Sequence, residues 1–98
     1  MAAKQKSAAN TATCDVQAIN RALADPRRFE ILQHIAAGQC VGCSSLRTEF
    51  PITAPTMSHH LKELEAAGLV NLTRNGKFVD VTFRRTTWQR YLAELKKL

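Results

Sequence analysis

The 98-residue chain has no apolar run approaching the ~18 residues needed to cross a bilayer. Its first stretch, "MAAKQKSAANTAT", also lacks the hydrophobic centre of a secretion signal. A cytoplasmic protein with no membrane partner is expected. Cysteine is scarce and odd in number, so Cys14, Cys40 and Cys43 cannot close a disulfide framework among themselves, and a reducing compartment would keep them as thiols. No paired carboxylates, nucleophile–base set or glycine-rich phosphate loop stands out, and nothing therefore argues for an enzyme or a required cofactor. There is no internal repeat or low-complexity segment. Acidic residues are also short, 8 against 14 Lys and Arg, leaving a formal charge of +6. That balance suits a polyanion such as nucleic acid, with plain solubility as the competing reading.

What is present is organised by helical period. Residues 1–13 are small and polar and read as a flexible N-terminal tail, so the expected domain is 14–98. Val16, Ile19 and Leu23 recur at helical spacing until "ADP" interrupts, because the residue before a proline is pushed out of the helical region. Asp25 then makes a good N-cap and Pro26 a good first residue for a second helix bearing Phe29, Ile31, Leu32, Ile35 and Ala36, closed by Gly38. A shorter helix is expected over Ser44 to Phe50, ended by Pro51. After the tight connection "ITAP", with Thr53 as cap, a fourth helix over 54–67 buries Met57, Leu61 and Leu64 and stops at Gly68. Two helices joined so closely make a helix-turn-helix.

Beyond Gly68 the period falls from 3.6 to 2 around "RNGK". A hairpin over 70–83 turning at Asn75-Gly76 would set Leu72 against Val79 and Val70 against Val81. A last helix from Thr86 or Thr87 aligns Trp88, Tyr91, Leu92, Leu95 and Leu98 on one stripe. The expected fold class is mainly α with a β-hairpin wing: a winged helix-turn-helix of about five helices and two strands. So small a domain cannot cover every stripe, and Val16, Ile19, Leu23, Trp88, Tyr91, Leu92 and Leu95 are the expected surface for a second copy.

In such a fold the N-terminal part of the second helix meets base edges, while Lys, Arg and hydroxyls hold phosphates. Thr53, Thr56, Ser58, His59 and Lys62 lie opposite the buried stripe and are the candidate contacts to double-stranded DNA. Arg74 and Lys77 on the wing, with Arg47 on the preceding helix, would add attraction independent of sequence, although solvated charge is the bland alternative for Arg47 and Lys62. Adjacent helical residues point about 100° apart, so His59 and His60 are poorly placed to share a metal ion. His60 is expected at the core edge with a hydrogen bond, His59 toward DNA, and His34 as a partly exposed structural residue.

The segments "ALADPRRFEIL", "TMSHHLKELEAAGLV" and "RNGKFVDVTF" together resemble the ArsR/SmtB family of small bacterial repressors over residues 15–98. The resemblance implies a homodimer closed by the first and last helices, with each recognition helix in a major groove of a palindromic operator. Many relatives carry Cys-X-Cys at the start of the helix before the recognition helix and bind arsenite, cadmium or lead there. This chain reads "GQCVGCSSL", with Gly42 and Ser44 in those places and Cys40 and Cys43 displaced. The last helix also lacks the acidic and histidine ligands of zinc-sensing relatives, offering only Glu94. For the cysteines three readings stay open: Cys43 as a buried small hydrophobe, a soft-metal or metalloid effector site assembled from Cys14, Cys40 and Cys43, or a redox pair. A winged-helix module binding an acidic protein is the remaining alternative function.

Overall fold

A computed structural model describes residues 14–38 and 40–98; the expected tail, 1–13, lies outside the described residues. Helix α1 (Val16–Leu23) starts where the Asp15 carboxylate accepts the Ala18 N–H, and it stops ahead of Asp25-Pro26 as the spacing predicts. The Asp25 carboxylate caps α2 (Pro26–Ala37) by accepting the N–H groups of Arg27 and Arg28. Pro26, at the first position, has no N–H to leave orphaned. These bonds, Arg28 first, hold the Asp25 carboxyl below its usual range. Helix α2 buries Ile31, Leu32 and Ile35, whereas Phe29, which spacing assigns to the same face, is 38% exposed.

A short strand that the sequence does not announce, β1 (Val41–Gly42), precedes α3 (Cys43–Glu49), which begins one residue earlier than its apolar spacing suggests. Helix α4 (Ala54–Ala66) follows, and its end is a Schellman turn. Gly68 takes φ +82°, its N–H donates to Glu65 O, and the Leu69 N–H reaches back to Leu64 O at 3.0 Å. Leu64 and Leu69, both fully buried, supply the apolar contact that accompanies such a cap.

The hairpin of β2 (Val70–Asn75) and β3 (Phe78–Phe83) forms, but its register differs from the expected one. Asn75 pairs with Phe78, so Gly76 and Lys77 form the turn, and Leu72 meets Val81 while Val70 meets Phe83. Gly76 has φ +67° and no other residue of the hairpin has positive φ, which fits a turn with glycine first rather than Asn-Gly with both central residues left-handed. The slip moves each partner by two, so side chains expected inward stay inward. The sheet order is β1-β3-β2, with Val41 opposite Val81.

Helix α5 (Arg85–Lys96) closes the chain. Its Tyr91 hydroxyl donates to Asn20 Oδ1 of α1 at 2.6 Å. Ile19, Ile31, Leu46, Met57, Leu64, Leu69 and Val81 make one core fed by every layer. Two residues expected at a partner surface, Ile19 and Tyr91, are buried within the chain, because α1 packs on α2 and α4 as well as on α5, to which the Tyr91–Asn20 bond ties it. Val16, Leu23 and Trp88 remain half-buried, while Leu92 and Leu95 are 42% and 39% exposed and Leu98 is fully exposed.

Candidate nucleic-acid interface

Helix α4 divides cleanly into two sides. Met57, His60, Leu61 and Leu64 are buried, while Thr53, Thr56, Ser58, His59 and Lys62 are all exposed. The Thr53 hydroxyl accepts the Thr56 N–H at 3.3 Å and donates to the Thr56 hydroxyl at 3.0 Å, so these two side chains fix the helix start. Because Arg74 shares its strand face with Val70 and Leu72, it turns toward α4. One groove between α4 and the wing is consequently lined by Ser58, Lys62, Glu65 and Arg74. A second groove, between the start of α3 and the wing tip, is lined by Arg47, Lys77, Phe78 and Asp80. Cys43 and Val79 border both. Thr53, Thr56 and His59 lie outside these grooves, on the free N-terminal half of α4.

His60 is 6% exposed, and its Nδ1 accepts a hydrogen bond from Arg28 Nε at 3.3 Å. The proton of the neutral ring is therefore on Nε2. Burial pushes the His60 pKa down from 6.5, and the Arg28 cation adds to that, against the opposing pull of the Asp25 carboxylate. Arg28 also donates to Ala22 O and stands 3.9 Å from Asp25, tying the ends of α1 and α2 to the recognition helix. The sequence indicates a bonded core-edge histidine but not its partner, 32 positions away. The His59 ring lies 6.0 Å from that of His60, centroid to centroid, on the exposed side. His34 is half-buried, edge-on to Phe50 at 5.9 Å.

The cysteines do not converge within one chain. Cys14, whose thiol is pushed up by burial and then by the Glu94 carboxylate, belongs to the α1–α5 side. Cys40 is exposed beside β1, and Cys43, the first residue of α3, is half-buried rather than buried. Among the described residues, no three His, Cys, Asp or Glu side chains gather to hold a metal ion. No helix of the described chain is long and apolar enough to cross a membrane.

Residues 23–73 match a family model described as a helix-turn-helix domain. The arsenical resistance operon repressor of Staphylococcus xylosus is 37% identical over 62 residues, covering 63% of this chain and 59% of that protein. The transcriptional repressor SdpR of Bacillus subtilis is 30% identical over 69 residues, 70% of this chain and 76% of that one. The matched part of the chain thus spans less than two thirds of the staphylococcal repressor. Among solved structures, an ArsR-like transcriptional regulator from Rhodococcus superposes with a TM-score of 0.75 at 26% identity, covering 84% of this chain and 76% of that one. A homodimeric winged helix-turn-helix DNA-binding domain from Mycobacterium bovis gives 0.69 at 25% identity, covering 84% and 77%.

Proposed function

The chain belongs to the ArsR family of winged helix-turn-helix transcriptional regulators, and from that premise we propose that it represses transcription by binding double-stranded DNA as a homodimer. In this reading residues 14–98 form a DNA-binding and dimerisation domain, working in the cytoplasm as a regulator and not as an enzyme. The observation that carries it is the groove in which Ser58 and Lys62 of α4 face Arg74 of the wing. A duplex laid there would present base edges to the free half of α4 and phosphates to the cations around it. His59 and Ser58 read bases, Thr53 and Thr56 bond the backbone at the helix start, and Arg47, Arg74 and Lys77 hold phosphates.

Selection of bound duplexes from a random pool, repeated with arsenite, cadmium, zinc and an oxidant, tests both the binding and any effector acting through Cys14, Cys40 or Cys43. The enriched sites should be palindromic. Affinity should fall with salt, and Arg74→Ala or Lys77→Ala should make that dependence shallower by about 0.9 units for each phosphate that is no longer neutralised. A protein that shifts no duplex at low salt would overturn the reading.

A further inference from the structure

One wing residue is accounted for neither by the core nor by phosphate contact. Phe78 follows the turn on β3, pairs with Asn75 and is 61% exposed. Strand alternation puts it on the face opposite Val79 and Val81, away from the core. No ring contact engages it among the described residues. Cations outnumber acids around it: Lys77 precedes it and Arg47 lines the same groove from α3, against one carboxylate, Asp80, two positions along the same strand face. The tip beside it is slender, since nothing lies within 4 Å of where a Cβ on Gly76 would stand.

We propose that Phe78 is an apolar wedge that the wing inserts into the DNA minor groove beside each half-site, an inference that rests on the DNA-binding function above. Cations flanking the ring draw the phosphates of both groove walls toward it, and the phenyl then leaves water by entering between them. The minor groove, about 6 Å wide, admits a tip of this kind but shows only a degenerate base pattern. An aromatic side chain there senses deformability instead, by partly unstacking a flexible pyrimidine–purine step. Phe78 thus selects a TA-type step flanking the sequence that α4 reads.

The test uses the full chain and a selected duplex in two forms, one with a TA step under the wing and one with that flank made entirely of G·C pairs, with 2-aminopurine placed at the step. Wild type should prefer the TA form and raise the 2-aminopurine fluorescence. Phe78→Ala should bind the TA form about tenfold more weakly, lose the preference and leave the probe stacked, while Phe78→Leu keeps part of each effect. The salt dependence of both variants should match wild type, because no charge is removed. Their melting temperatures should also match, since the ring is outside the core. Phe78→Ala that binds both duplexes as wild type does, or that weakens both equally without a change in fluorescence, removes the wedge and leaves the repressor standing. Wild type that binds no duplex, or binds only an acidic protein, removes both.

Discussion

Neutral His60 accepts the Arg28 guanidinium across the α2–α4 contact, so a proton on Nδ1 would both end that bond and set two cations side by side. Its lowered pKa fixes the sign of the pH dependence. Below 6.5 the unfolded chain takes up this proton more readily than the folded one, so stability is complete above 6.5 and is lost as pH falls from there through the lowered value. Asp25, also lowered, adds its own loss only below 3.8. Melting curves in mildly acidic buffers should show the temperature falling in wild type and holding nearly level in His60→Gln. A parallel fall in both would assign the loss to another group. The neighbouring histidine divides the labour. His59→Ala should leave thermal stability nearly unchanged yet cost roughly 1–3 kcal/mol of specific binding, the scale of one base contact. His60→Ala strands a largely buried Arg28 donor and should cost about 1–3 kcal/mol of stability by denaturant titration. Equal weakening on random and selected duplex for His59→Ala would make that residue a backbone contact.

Among the elements, those marked by a cap or a period could be read from sequence, and those fixed only by distant partners could not. Asp25-Pro26, Thr53 and Gly68 each carry local chemistry that starts or stops a helix, and each does so in the structure. Strand β1 has two residues and exists because Val41 finds Val81, so no alternation could reveal it. The hairpin register turned on whether Asn75 or Lys77 joins Gly76 in the turn, a choice that the Asn-Gly pair suggests wrongly because strand pairing extends to Asn75 itself. The exposed side of α4 followed from its buried stripe, whereas the groove shared by Lys62 and Arg74 needed the folded wing. The α4 cap gives a direct test. Gly68→Ala meets only Thr87 Cγ2 at 3.6 Å, an ordinary contact, so its cost should be conformational alone, about 1–2 kcal/mol by denaturant titration. Gly68→Asn should lose less, since asparagine tolerates the left-handed region. Equal stability for glycine and alanine would mean that the turn relaxes to another conformation.

At the scale of the molecule, α5 shows what a single chain leaves undone. Its Tyr91 edge is tied to α1, yet Leu92 and Leu95 remain exposed along one side of a helix that carries Arg90 and Glu94 on the other, and Leu98, just past its end, is exposed too. A second copy placed symmetrically over that side would bury these leucines against their own equivalents, as a two-fold interface requires. It would also link two recognition helices, as a palindrome with half-sites one helical turn apart, about 34 Å, requires. Dimerisation and operator recognition are then one property. Leu92→Glu puts two carboxylates at the axis while altering a side chain that the chain's own core does not need, so each protomer should keep its fold. Sedimentation should show monomer where wild type is dimer at micromolar concentration. On DNA the variant should lose most of its affinity for a palindrome but little for a single half-site, because only the linkage between two binding events is removed. A variant that stays dimeric, or one that binds palindrome and half-site as wild type does, would move the interface away from α5.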